Sequence, residues 1–232
     1  MDISKQSYII FDYDGTLHES LVLYKVAFIE AYQFLVERVP QAVLEAGYTL
    51  DKEWSDQEIS QWLGYNKDDM WALFMPNLSP SLKEKCGRQI GERMTKLLLE
   101  GNGVLYKGAV RTLNYLRSKG YKLIFLSNCS ESYMQTHREI FGLDTYFDVF
   151  ACAGQYKGYS KAEILSDLIL QDAVHLQKGV QHYMVGDRAQ DVELANIHAL
   201  EMIACDYGYS QDGELDRVKK HIQRIIDLID LL

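Results

Sequence analysis

Short apolar runs rich in β-branched and aromatic residues alternate with longer helical patterns along this chain, and the alternation is broken once. The runs are Tyr8–Phe11, Lys122–Ser127, Val149–Ala153, Tyr183–Gly186 and Met202–Cys205. Helical periodicity covers Val110–Lys119, Ser132–Phe141, Lys161–Gln171 and Gln190–Ala199 between them. Each run is apolar on both faces, which suits strands of a parallel sheet covered on both sides by helices. The pattern predicts an α/β fold with a mainly parallel, five-stranded core sheet. The break lies between Thr16 and Val104, where no strand pattern occurs and helical patterns run over Leu21–Val39, Ser55–Leu63, Asp68–Phe74 and Ser81–Glu100. A parallel crossover needs only a dozen or so residues, so an interval this long predicts an inserted helical subdomain with its own small core. All three tryptophans (Trp54, Trp62, Trp71) and all three prolines (Pro40, Pro76, Pro80) fall inside it. The domains read as 1–17 with 104–232, an α/β core, and 18–103, a helical insert, with hinges at Thr16–Ser20 and Gly101–Gly103.

A chain of 232 residues can bury such a core without disulfides or structural metals. Its 33 acidic against 24 basic residues give a net charge of -9, which lacks the basic footprint that nucleic-acid partners require. No apolar stretch approaches the roughly 20 residues of a membrane helix, and Tyr8–Phe11 is too short for a signal-peptide core. The four cysteines (Cys86, Cys129, Cys152, Cys205) are scattered and form no Cys-x-x-Cys pair. They read as reduced thiols of a cytoplasmic protein. Ile222–Leu232 has helical spacing and reads as an amphipathic last helix. Oligomeric state is not legible.

Four motifs carry chemistry. Asp12-Tyr13-Asp14-Gly15-Thr16 follows the first predicted strand directly. Strand alternation lets Asp12 and Asp14 converge at the carboxyl end of the strand, where open α/β sheets bind ligands. Gly15 permits a sharp turn, and two carboxylates so close call for a divalent cation. Taken alone, the motif is equally a solvated Asp-Gly turn. The second, Leu126-Ser127-Asn128-Cys129-Ser130, offers a hydroxyl, an amide and backbone N–H groups of phosphate size, although a helix-capping loop looks the same. The third is Lys161, alone no more than a surface lysine. In the fourth, Val185-Gly186-Asp187-Arg188-Ala189-Gln190-Asp191, a strand-end Asp187 can reach a metal, and Asp191 falls near a helix N-terminus.

In combination and in this order, the four motifs resemble the haloacid dehalogenase-like superfamily. The resemblance is to the branch with a helical cap after the first motif, and above all to its phosphoglycolate phosphatase-like and β-phosphoglucomutase-like members. It spans essentially the whole chain: Tyr8–Leu17, Leu126–Ser130, Lys161 and Met184–Asp191. The resemblance implies a Rossmann-like core in which Tyr8–Phe11 is central, and a cap that closes over the site. It implies Asp12 as the nucleophile forming an aspartyl-phosphate, and Asp14 as the acid that protonates the leaving alcohol and then activates water. Mg2+ would be held by Asp12, the Asp14 backbone carbonyl and Asp187, with Asp191 orienting a metal-bound water or Lys161. Ser127, the Asn128 backbone and Lys161 would hold the phosphoryl oxygens. The substrate implied is a small soluble phosphorylated metabolite. A β-phosphoglucomutase-like phosphomutase and a non-catalytic phosphoacceptor module are the alternatives; Thr16 is more typical of the hydrolases, and a receiver domain has half this length and no cap.

Departures from the family pattern are Ala162 after the lysine, Lys107 after Tyr106, and His18 with Glu19, both read as hinge variation. In the insert, Lys67 is positioned to meet a substrate carboxylate or second phosphate, or else sits on a solvated helix turn. His137, His175, His182, His198 and His221 lack metal-ligand spacing and read as surface or helix-end residues.

Overall fold

The computed structural model describes residues 6–232. In chain order its elements begin with β1 (Tyr8–Phe11), α1 (Leu21–Arg38), α2 (Pro40–Glu45), α3 (Asp56–Ser60), α4 (Lys67–Phe74) and α5 (Pro80–Leu97). They continue with α6 (Ala109–Ser118), β2 (Lys122–Ser127), α7 (Glu131–Phe141), β3 (Val149–Cys152), α8 (Lys161–Leu170) and β4 (Tyr183–Gly186). The last are α9 (Ala189–Ile197), β5 (Glu201–Cys205), β6 (Lys220–Ile222) and α10 (Leu228–Leu231). The fold divides into two compact units: the described residues up to Glu19 together with Leu105–Leu232, and Ser20–Val104.

The first unit carries a parallel sheet in the order β3-β2-β1-β4-β5-β6. β1 is flanked by β2, with Ile10 opposite Ile124, and by β4, with Ile10 opposite Met184. All four residues of β1 are buried, which is why the strand reads as an unbroken apolar run. Its side chains alternate between faces. Tyr8 and Ile10 join Ile124, Leu126 and Met184 in a core closed by Ile164, Leu165 and Leu168 of α8 and by Leu194 and Ala195 of α9. Phe11 belongs to the other parity and meets Phe147 edge-on, as does Phe125 of β2.

The sheet has six strands where the sequence predicts five. Lys220–Ile222 has one buried residue in three, so its sequence shows no strand pattern. It is fixed by the edge of β5, with Ile203 opposite Lys220 and Cys205 opposite Ile222. The predicted last helix over Ile222–Leu232 is corrected with it. Ile222 ends the strand, Ile225–Asp227 forms a 3-10 turn, and only Leu228–Leu231 is α-helical. Ile222, Ile225 and Leu228 are buried at intervals of three, a spacing that imitates a helix face.

The second unit is all helical. Its core is aromatic: Phe28 lies 5.1 Å from Trp54 and 5.2 Å from Phe74, and Trp62 and Trp71 pack on the same Phe74 at 5.3 and 5.6 Å. The Lys67 ammonium is taken up by Glu84 within this unit. Among the described residues, no helix is long and apolar enough to cross a membrane.

Candidate active site

β1 ends at Phe11, and the backbone N–H of Asp12 donates to Val185 O at 2.9 Å, which extends the pairing with β4 by one residue. Asp12 therefore keeps the parity of Tyr8 and Ile10 and faces the side covered by α8 and α9. Lys161, the first residue of α8, meets it there. Ser160 and Glu163 cap that helix reciprocally, fixing the start from which Lys161 projects. Its Nζ lies 2.7 Å from Asp12 Oδ1 and 2.7 Å from Asp191 Oδ1, and all three side chains are at most 2% exposed. Asp191, in the first turn of α9, also accepts the backbone N–H groups of Asp187 and Arg188 on Oδ2, at 3.1 and 3.0 Å.

Asp187, one residue past β4, is fully buried. It accepts from Thr16 Oγ1 at 3.1 Å on one oxygen and from the Tyr209 backbone N–H at 2.6 Å on the other. Gly15, with φ of +84°, lies against it; a Cβ there would overlap the Asp187 carboxylate and the Tyr209 ring. The first and fourth motifs thus interlock through a side chain that is missing.

Ligand oxygens of Asp12, Asp187 and Asp191 lie within 4.8 Å of one another. Lys161 offsets one of the three charges, and Arg188 is engaged by Glu214 at 2.9 Å. The electrostatic consequences are large. Burial raises Asp12 well above the usual carboxylate range against the pull of Lys161, and repulsion from Asp191 and Asp187 adds to the rise. Burial, then repulsion from Asp191, pushes Asp187 up to about 7. Lys161 is drawn down by its own burial, but Asp12 and Asp191 more than reverse this and hold it protonated. Asp12 Oδ2 is buried with no hydrogen-bond partner among the described residues. An orphaned carboxylate oxygen in a cluster with surplus negative charge is what a hard divalent cation satisfies, so the residues present fit Mg2+.

Ser127 ends β2, and one residue beyond the opposed pair Phe11 and Phe125 stand Asp12 and Leu126. Ser127 is therefore on the same sheet edge, buried, with its Oγ accepting from Cys129 N at 3.3 Å. Asn128 follows it, half-buried, and Ser130 caps α7 by accepting from Tyr133 N.

Strand alternation does not extend to Asp14, because the chain turns at once: Thr16, Leu17 and His18 all donate to the Tyr13 carbonyl. The Asp14 carboxylate, 15% exposed, accepts from the Tyr133 hydroxyl of α7 at 2.9 Å. Tyr133 was not legible as a site neighbour from the motifs. The readable signal was Tyr133, His137 and Phe141 at intervals of four, one face of α7.

Three histidines need correction. His137 is buried, not superficial, and its Nδ1 lies 2.6 Å from the Tyr13 hydroxyl. His182 is 5% exposed and accepts the Tyr8 backbone N–H at 3.0 Å. His18 is more than hinge variation: it is buried, stacked on Tyr13 at 5.3 Å, and edge-on to His137 at 4.6 Å. Burial raises the Tyr13 phenol, with Asp14 adding to it, so Tyr13 donates and His137 Nδ1 accepts.

The family model described as haloacid dehalogenase-like hydrolase matches residues 7–197. Phosphoglycolate phosphatase of Synechococcus elongatus is 28% identical over 208 residues, covering 89% of this chain and 87% of that protein. A solved structure from Haemophilus somnus, described as a predicted phosphoglycolate phosphatase, superposes with a TM-score of 0.74 at 18% identity over 99% of both chains. CbbY from Rhodobacter sphaeroides, solved in complex with xylulose-(1,5)bisphosphate, gives 0.71 at 19% identity over 96% of both. At those identities the two structures speak to the fold.

Proposed function

The chain belongs to the haloacid dehalogenase-like hydrolase family and is a phosphatase of the phosphoglycolate phosphatase kind, and we propose that it hydrolyses a small phosphomonoester with Mg2+ through an aspartyl-phosphate on Asp12. The observation that carries this reading is the Asp12 carboxylate. One oxygen is held by Lys161 at 2.7 Å, while the other is buried with no hydrogen-bond partner among the described residues, beside two further acids. On this reading Ser20–Val104 is the cap domain of that family.

Asp12, Asp187 and the Asp14 backbone carbonyl would hold Mg2+, and Asp191 would hold Lys161. When bound, the ion offsets the charge of the phosphoryl group that an anionic nucleophile must approach. Lys161 supplies a cation at the nucleophile itself, and Ser127 with the Asn128 backbone offers donors for the remaining phosphoryl oxygens. Asp12 Oδ attacks phosphorus as the ester P–O bond breaks, and Asp14 gives its proton to the departing oxygen. Asp14 then takes a proton from the water that hydrolyses the aspartyl-phosphate, which restores both carboxyl groups.

The test is phosphate release from phosphoglycolate, other small phosphomonoesters and p-nitrophenyl phosphate. Wild type is expected to act only with Mg2+ and to fall silent in EDTA, and Asp12→Asn to be inactive but folded. Turnover by Asp12→Asn removes the nucleophile assignment, and activity in thorough chelation removes the metal. Transfer of the phosphoryl group to a second sugar hydroxyl, without free phosphate, makes the enzyme a phosphomutase instead.

A further inference from the structure

Asp14 is gripped by a residue that the reaction as described does not use. Tyr133 Oη donates to Asp14 Oδ1 at 2.9 Å, and His18 Nδ1 lies 3.3 Å from that hydroxyl and 3.6 Å from the same Asp14 oxygen. A phenol has one proton. With that proton on Asp14, the contact between His18 and the Tyr133 oxygen runs the other way, from a protonated Nδ1 to the phenol oxygen. The result is a directed chain: His18 donates to Tyr133, and Tyr133 donates to Asp14.

The chain is anchored at every ring. Tyr133 lies 4.0 Å from His137, His137 holds the Tyr13 hydroxyl at 2.6 Å, and Tyr13 stacks on His18 with the planes 3° apart. Tyr133 is 6% exposed, and Tyr13, His18 and His137 are fully buried. Burial, and then the charge of Asp14, raises the Tyr133 phenol well above its ordinary range, so it remains a donor at any working pH. A packed phenol with a fixed donor direction sets the rotation of the carboxyl group it touches.

We propose that Tyr133, seated by His18, is a positioning residue that fixes the Asp14 carboxyl group for proton transfer to the leaving oxygen. The inference rests on the phosphatase reading, since the orientation matters only if Asp14 delivers that proton. In the step concerned, the Asp14 O–H bond breaks and its proton goes to the oxygen leaving phosphorus. That oxygen takes the electron pair of the P–O bond, and Asp12 gains the phosphoryl group. Tyr133 keeps its own proton throughout. A poor leaving group needs the proton more than a good one, so misplacing the acid weakens the two unequally.

The experiment compares kcat/KM for phenyl phosphate and p-nitrophenyl phosphate, aryl esters that differ by one para-nitro group and so in the basicity of the leaving group, using the full chain with saturating Mg2+. In Tyr133→Phe the preference for the nitrophenyl ester is expected to widen by about tenfold over wild type. His18→Gln should shift it in the same direction by less, and it carries the test if Tyr133→Phe does not fold. A purely structural role scales both esters by one factor. A preference within about twofold of wild type in the folded variants therefore overturns the positioning role and leaves the phosphatase reading intact. If wild type hydrolyses neither ester, the phosphatase reading itself fails and the inference falls with it.

Discussion

The Lys161 ammonium stands 2.7 Å from the Asp12 carboxylate, and both side chains are sealed from solvent. Such a pair contributes less to folding than it appears to, because each partner gives up its hydration to form it. Removing one partner is another matter. Lys161→Met leaves Asp12 and Asp191 buried without their shared counter-charge, and it should destabilise the protein by about 3 kcal/mol at neutral pH in EDTA. Urea unfolding measures this; a loss below about 1 kcal/mol would mean that the acids simply take up protons. Phosphatase activity should fall with it, since the ammonium beside the nucleophile is then gone.

Metal binding should be visible without any substrate. If Asp12 and Asp187 hold Mg2+, the ion stabilises the fold by about 2.7 kcal/mol at a hundredfold excess over its Kd. The effect is linked to pH. Asp187 keeps its proton up to about 7 in the native protein, against an ordinary 3.8. Native protein therefore holds more protons than unfolded chain across that window, and without metal its stability falls as pH rises through it. Mg2+ must displace that proton, so its stabilising effect should be larger at pH 8 than at pH 6. Thermal melts with and without Mg2+ check this, and Asp187→Asn should abolish the shift.

His137 makes the opposite kind of demand. Burial, followed by repulsion from His18, pushes it down to about 3 from an ordinary 6.5, with the Asp14 charge pulling the other way. Between those values the unfolded chain binds a proton that the native ring refuses, so stability falls with acidification by about 1.4 kcal/mol per pH unit. Among the described residues the rings packed on it are Tyr13, His18, Tyr133 and Phe141, none of which supplies a compensating negative charge. Comparing urea unfolding at pH 6.5 and 5.5, His137→Phe should show a shallower loss than wild type. Equal slopes would place the ring's titration elsewhere.

Gly15→Ala tests the interlock between the first and fourth motifs. The positive φ alone costs about 1–2 kcal/mol with a Cβ present, and that Cβ overlaps the Asp187 carboxylate. Loss of activity should therefore come with loss of the Mg2+-induced shift in melting. A variant that melts and responds to Mg2+ as wild type does would show that Asp187 has room to move.

Much of this was written in local sequence. Asp12, Asp187 and Lys161 each stand at the end of a strand or the start of a helix whose pattern is plain, so their meeting follows from strand order. The sixth strand was not legible, because Lys220–Ile222 owes its form to the edge of β5 and not to its own three residues. The ring cluster around Asp14 was missed for a related reason. A histidine in sequence carries no sign of burial; His137 is inside because Tyr13 offers it a hydroxyl from 124 positions away. Strand alternation carries as far as Asp12 and ends one residue past the strand, where the Tyr13 carbonyl gathers the next turn.

The strand order has a consequence during synthesis. β1 emerges early, yet its two neighbours, β2 and β4, begin only at Lys122 and Tyr183. Every partner within Ser20–Val104 is on hand before either neighbour has left the ribosome. The first strand and the acid at its tip must wait, unpaired, while about 110 residues are added and the helical unit takes shape. Pairing of β4 with β1 follows only then, ahead of β5 and β6, and it creates both the sheet centre and the pocket of acids at once. A nascent chain halted before Tyr183 should thus already hold a helical unit and still have no grip on the ion.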